Sequence, residues 1–374
     1  MAKNPFRPTF GTTPPLLVGR DDQIEAFASS LAEGPGSPGR ATVYTGARGV
    51  GKTVMLNTAE DSARASGWLV ISETATAGLI HRIAEEHLPN LKRILQGATK
   101  PVRQVTGLSA VGISASWEPS TQSAGTEGLR ARLAEVAELA GANETGVLIT
   151  LDELHGAPIS ELRELTTILQ HCFREERPVA FVGAGLPSAV SSLLNDSVLT
   201  FLRRADRYLL AAVQLDEVRD ALRLPIEQSG RSITEPALDA ATKATRGYPF
   251  MIQLVGHQVW RQAPLESIID LDQVERGTNL ARRRLGQLVV EPSLQDLSET
   301  DRTFLLAMAH DDGPATMKSI AERLGVDATY AGQYRLRLIE AEIIVSSSYG
   351  KVDFALPSMR DYLREHGALD AQSG

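Results

Sequence analysis

Between residues 41 and 212, short apolar runs alternate with longer stretches whose apolar positions recur at helical spacing. The runs are Ala41–Thr45, Trp68–Ser72, Gly146–Leu151, Val179–Val182 and Tyr208–Ala212. The helical stretches are 52–66, 77–96, 127–141 and 158–176, with a further one at 21–32. This alternation predicts an α/β fold, a parallel sheet with helices on both faces. Residues 102–117 depart from it: Val102, Val105, Leu108, Val111, Ile113 and Trp117, spaced by small and polar residues, predict a hairpin before a Ser/Gly/Thr-rich loop at 119–126. From 214 to about 288 the pattern is helical throughout, and Pro292 is expected to open a linker. Residues 4–15, rich in Pro, Gly and Thr, predict an extended arm laid over the first domain.

A last unit begins near Leu297. Helices are expected at Thr300–His310, Met317–Leu324 and Ala328–Ala341, with a tight turn at Gly325-Val326-Asp327. Ile343–Val345 and Val352–Leu356, around the Ser346–Gly350 turn, then read as a two-stranded wing. The arrangement is that of a helix–turn–helix with its wing, a winged helix.

The chain has 374 residues, enough for two or three domains at about 150 residues each. Hydrophobic residues make up 43% and charged residues 22%, which excludes disordered and fibrous classes. No run approaches the roughly 20 apolar residues that span a bilayer, so no membrane partner is expected. The segment Met1–Phe6 lacks the apolar core of a secretion signal, and the expected location is cytoplasmic. The single cysteine, Cys172, leaves no intrachain disulfide and no multi-cysteine metal site. Net charge is −8, so no global pull toward nucleic acid is visible. Seven lysines against 31 arginines read as coding bias.

The chemistry is concentrated in two motifs. Gly46-Ala47-Arg48-Gly49-Val50-Gly51-Lys52-Thr53 matches G-x-x-x-x-G-K-[ST] at every fixed position, between an apolar strand and a helix. Glycines let the backbone wrap close to phosphates, so that successive N–H groups and the helix N-terminus point at negative charge. Lys52 would reach the β- and γ-phosphates, and the Thr53 hydroxyl would bind Mg²⁺. The second motif, Gly146–Leu151 followed by Asp152-Glu153-Leu154-His155, is an apolar strand ending in two adjacent carboxylates. Asp152 would hold the metal through water, and Glu153 would polarise the attacking water as general base. His155 reads as a packed neighbour of the site, with direct contact to the site as the alternative.

With both motifs present, the sequence resembles the AAA+ P-loop ATPases, particularly the initiator-like, archaeal-type (STAND-like) branch. The resemblance runs over about residues 15–290, with the winged helix beyond. It implies four parts: an N-terminal arm at 1–15, a P-loop ATPase domain at 16–213, a helical lid domain at 214–291 and a winged-helix domain at 297–370. Leu17-Val18-Gly19-Arg20-Asp21 looks like the family's entry segment, whose Val18, Gly19 and Arg20 would lie against adenine. Thr245–Leu254, containing Gly247-Tyr248-Pro249, looks like the lid helix beside the nucleotide, with Pro249 facing it. The implied nucleotide-binding set therefore comprises residues 46–54, ending at Val54, with Val18, Gly19, Arg20 and Pro249, and the implied ligands are ATP or ADP with Mg²⁺. Phe201–Arg207 looks like the segment that supplies an arginine finger, Arg203 or Arg204, to a neighbouring copy in a homo-oligomer; a solvated face is the alternative.

The sequence also departs from the family. Phe181–Pro187 has no asparagine at the usual sensor position, leaving backbone groups or Ser188. Phe250 stands where many relatives carry a sensor arginine, with Arg246 a substitute. These gaps imply slow, regulated hydrolysis rather than a fast motor. The leading reading is a DNA-associated ATP switch; the alternatives are a signalling NTPase whose winged helix contacts protein or inhibits the chain, and a plain ATPase. For double-stranded DNA the candidates are Thr329, Tyr330, Gln333, Arg335 and Arg337 facing outward on the third helix, with Lys351 on the wing. Against this, residues 297–374 carry eight basic and twelve acidic residues. Arg282-Arg283-Arg284 read as a solvated helix face or a nucleic-acid contact.

Overall fold

The computed structural model describes residues 3–9, 11–97, 128–195, 202–262, 267–295, 297–356 and 358–370. The hairpin expected at 102–117, the loop at 119–126 and Phe201 lie outside the described residues.

Five strands form the main sheet: β1 (Ala41–Thr45), β2 (Leu69–Thr74), β3 (Val147–Asp152), β4 (Val179–Gly185) and β5 (Asp206–Leu209). All pair in parallel, in the order β2-β3-β4-β1-β5. The central strands are buried on both faces, which is why β3 and β4 read as continuous apolar runs rather than alternating ones. One face is covered by helices Asp21–Glu33 and Lys52–Ala65, through Phe27, Leu31, Met55 and Leu56 against Tyr44, Leu148 and Val182. The other is covered by helices Leu88–Gly97, Leu129–Ala142 and Ile159–Arg174, through Leu91, Leu133 and Leu165 against Val43, Ile149 and Phe181. β5 starts two residues before the apolar run at Tyr208–Ala212. It is an edge strand with alternating burial, so the apolar run straddles its end and the following turn, where Leu210 N–H donates to Thr45 O at 2.7 Å.

Helices Leu215–Gln228, Glu235–Thr245, Pro249–Gln262 and Leu271–Leu285 follow. They are not helical throughout: β6 (Ser232–Ile233) pairs in parallel with β7 (Ile268–Ile269). Nor does Pro292 open a linker. A π turn, Gly286–Val290, runs directly into helix Glu291–Gln295, so the chain stays helical through Pro292. Beyond it come helix Glu299–Ala309, β8 (Ala315–Thr316), helices Met317–Leu324 and Ala328–Glu340, β9 (Ile344–Ser348), β10 (Lys351–Phe354) and helix Met359–Asp370. β8, β10 and β9 form an antiparallel sheet over Phe304, Leu305, Met308, Ile320 and Leu338. Gly325 makes the turn between its helices at φ +66°, and the Asp327 carboxylate caps the next helix by accepting from Tyr330 N–H at 2.8 Å.

The arm reaches the first domain, as expected, only in its second half. It runs along helix Pro249–Gln262 before touching the sheet unit, because a glycine there leaves room for an aromatic ring. Phe6 is buried against Gly256, where a Cβ would fall 2.4 Å from the ring. Asn4 Nδ2 donates to His257 O at 3.1 Å, and Arg7 N–H to Gln253 Oε1 at 3.1 Å. The arm then crosses to the sheet unit, where Asn57 Nδ2 donates to Gly11 O at 2.8 Å. Among the described residues no helix is long and apolar enough to cross a membrane.

Candidate functional site

The turn after β1 carries glycines where side chains do not fit. Gly49 and Gly51 adopt φ +74° and +99°, the left-handed region that glycine enters without a Cβ penalty. Helix Lys52–Ala65 starts immediately afterwards, so its first N–H groups border the cavity above the strand ends. Lys52 is buried in this turn, and its Nζ donates to Gly46 O at 2.9 Å and Ala47 O at 3.1 Å. Burial pulls the Lys52 pKa below its ordinary value, against the opposing pull of the Glu153, Glu342 and Asp152 carboxylates.

β3 lies two strands from β1, with β4 between, yet its end meets the same site. Thr53 Oγ1 donates to Asp152 Oδ2 at 2.7 Å, while Asp152 Oδ1 accepts from Glu153 N–H at 2.8 Å. Glu153 takes φ +53°, an uncommon conformation for a side-chain-bearing residue and one that ends the strand abruptly. Its Oε2 lies 3.4 Å from His155 Nε2, an exposed contact of little energetic weight.

Above these groups is a cavity of about 530 Å³, within the usual range for small-molecule sites. The glycine-rich turn supplies Arg48 to Val54, and Glu153 and His155 stand beside it. Leu17, Val18, Arg20 and Val213 form one wall, and Pro249, Phe250, Ile252 and Gln253 another. The arm closes the rim through Arg7, Thr9, Gly11 and Thr12. Arg20 is turned back, its guanidinium donating to Ala211 O at 2.6 Å and Gly19 O at 3.1 Å. Burial lowers its pKa, with Glu217 opposing.

The helical unit is fastened to the turn by Tyr248, whose buried hydroxyl donates to Arg48 O at 2.9 Å. Burial raises the pKa of this phenol, keeping it a donor. A Cβ on Gly49 would lie 2.1 Å from the Tyr248 hydroxyl oxygen. This contact requires glycine at a position that the phosphate-loop pattern leaves open.

Of the expected set, Arg48–Val54, Val18, Arg20, Glu153 and Pro249 line one cavity. Gly46, Ala47, Gly19 and Asp152 do not line it: the Gly46 and Ala47 carbonyls are held by Lys52, and the Asp152 carboxylate by Thr53. Arg203 and Arg204 do not line it. They lie exposed on the turn Leu202–Arg204 before edge strand β5, where Arg203 Nε donates to Leu194 O at 2.6 Å. Arg246 does not line it either, because its left-handed backbone aims the guanidinium at Asp361 of helix Met359–Asp370, 2.7 Å away. Phe250 does face the cavity. In the C-terminal unit Arg337 is exposed, as expected, but its guanidinium is engaged. Its Nε donates to Asp301 Oδ1 at 3.0 Å, across the cap of helix Glu299–Ala309, and its guanidinium lies over the Tyr334 ring. Arg335 Nη2 donates to Ser346 Oγ at 3.0 Å, while Lys351 is exposed.

Sequence reasoning missed three contributors: the rim of the arm, the Tyr248 hydroxyl and Glu342. Only Tyr248 had a signal, its place in Gly247-Tyr248-Pro249.

Residues 16–182 match the family model described as AAA ATPase domain, and residues 287–363 match a domain of unknown function (DUF8462). No curated protein sequence matches the chain. Among solved structures, a Walker-type ATPase of Pyrococcus abyssi superposes with TM-score 0.65 at 16% identity, covering 93% of this chain and 96% of that one. The ORC2 protein of Aeropyrum pernix, solved as ADPNP–ADP complexes, gives TM-score 0.59 at 16% identity over 98% of each chain. These likenesses establish the P-loop NTPase fold.

Proposed function

We propose that the chain is an ATP-binding and slowly hydrolysing switch of the AAA+ kind. In this reading, residues 16–213 bind nucleotide, 214–291 act as a lid and 297–370 respond as a winged helix tethered to both. The observation that carries it is the Thr53–Asp152 contact at 2.7 Å, which joins the glycine-rich turn to the acidic strand end beneath the cavity. A hydroxyl and a carboxylate are hard oxygen donors of the kind Mg²⁺ takes, so the residues fit that ion. When bound, Mg²⁺ would neutralise phosphate charge. Lys52 would exchange its carbonyl partners for phosphate oxygens, and the turn's N–H groups would cradle the remainder. Leu17, Val18, Phe250 and Ile252 offer an apolar wall for a purine. Glu153 would take a proton from the attacking water.

The test is equilibrium binding and turnover with Mg-ATP. Lys52→Ala should abolish binding, because no neighbouring lysine can replace its charge. Glu153→Gln should keep binding and lose turnover by roughly 10²-fold or more, the scale of a lost general base. Tight ATP binding by Lys52→Ala, or unchanged turnover in Glu153→Gln, overturns the assignment.

The C-terminal unit is read first as a regulatory module acting on the ATPase, because Arg337 and Arg335 are engaged within it and Arg246 ties it to the lid. A second reading, DNA association, is favoured by the helix–turn–helix with Tyr330 and Gln333 exposed beside Lys351. Titration of duplex DNA with and without ATP separates the two. Salt-sensitive binding weakened by neutralising Arg335, Arg337 and Lys351 supports DNA. Arg203 and Arg204, exposed near the sheet edge, are the candidates for a finger acting between copies.

A further inference from the structure

The residue pair Ala341-Glu342, between helix Ala328–Glu340 and β9, brings a carboxylate from the C-terminal unit to the nucleotide site. Glu342 adopts φ +58°, left-handed and costly for a glutamate, so the turn aims its side chain in a direction that a relaxed backbone would not. Its Oε1 accepts from Ser188 Oγ at 3.2 Å. Ser188 lies in helix Pro187–Asn195, which leaves the end of β4, and the preceding Leu186 lines the nucleotide cavity. The other carboxylate oxygen, Oε2, is buried and has no hydrogen-bond partner among the described residues. Burial raises the pKa of this carboxyl above its ordinary value; Lys52, the Ser188 hydroxyl and Arg48 favour its charged form, and Glu153 opposes it.

A buried carboxylate oxygen without a partner costs free energy, and nearby cations offset that cost only while they remain unneutralised. Lys52 is the cation that the preceding reading assigns to the β- and γ-phosphates. A diphosphate leaves the γ position empty, whereas a triphosphate brings further negative charge toward Lys52 and Arg48.

We propose that Glu342 discriminates between nucleotides by charge: held by Ser188, two residues beyond the cavity-lining Leu186, it disfavours ATP relative to ADP and the empty site. The inference rests on the nucleotide-binding reading above and extends it with a selectivity residue from outside the ATPase unit. Because binding couplings are reciprocal, ATP weakens docking of the C-terminal unit by the same factor that docking weakens ATP. One added charge facing a carboxylate across a partly wetted crevice corresponds to about a tenfold difference in affinity.

The test uses the full chain and a nucleotide competition titration with ADP and a non-hydrolysable ATP analogue, in Mg²⁺. Glu342→Gln keeps the shape and removes the charge. It should raise the affinity for the triphosphate about tenfold more than that for ADP, with a cooperative urea unfolding transition as the check that the variant is folded. Glu342→Asp, which keeps the charge, should retain a ratio close to that of the wild type. An unchanged ratio in Glu342→Gln overturns the inference, as does a Glu342→Asp ratio that follows Glu342→Gln. A wild-type chain that binds neither nucleotide overturns the nucleotide reading, and this inference with it.

Discussion

Gly49→Ala tests how the helical unit is fastened to the glycine-rich turn. The added Cβ would lie 2.1 Å from the Tyr248 hydroxyl oxygen, 2.8 Å from Cζ and 3.4 Å from Phe250 Cβ. An L-residue at φ +74° costs about 1 kcal/mol by itself. Tyr248 is only 3% exposed and must move, which breaks its bond to Arg48 O, worth about 1 kcal/mol. Repacking the displaced ring adds about 1 kcal/mol more. The expected loss is therefore about 3 kcal/mol, read by equilibrium urea unfolding, and Mg-ATP affinity should fall with it. Tyr248→Phe removes the nearest clashing atom and should cost about 1 kcal/mol alone. Since both changes act on one contact, the double variant should be less destabilised than the sum by about 1 kcal/mol. Strict additivity, or a Gly49→Ala chain as stable as the wild type, refutes the reasoning.

The other predictions concern the site, its regulation and the lone thiol. Loss of ATP binding in Lys52→Ala, and retained binding without turnover in Glu153→Gln, examine the loop and the base separately. The ATP-to-ADP affinity ratio in Glu342→Gln reports whether the C-terminal unit senses charge at the site. Cys172 is buried and its pKa is pushed up to about 11, chiefly by desolvation, so little thiolate exists at neutral pH. Alkylation at pH 8 should be slow in the native chain and fast in urea; rapid native labelling would contradict the burial.

Much of this molecule was legible from its sequence because the relevant signals are local. Each main strand falls on or beside its apolar run, and helix Met317–Leu324 coincides with its expected span. The glycine-rich turn and the Asp152-Glu153 pair were identifiable because each is a run of neighbouring residues with a recognisable pattern. What the sequence left undetermined depends on contacts between distant segments. Placing β4 between β1 and β3 has no local signature, since strands buried on both faces read alike whatever their neighbours. Phe6 seeking the gap at Gly256, Arg337 engaged by Asp301 and Glu342 reaching Ser188 each join residues with no sequence pattern between them. Periodicity reports that a side chain is buried or exposed. Which partner it meets is decided by packing, where a missing Cβ or an unneutralised charge selects one of many compatible surfaces.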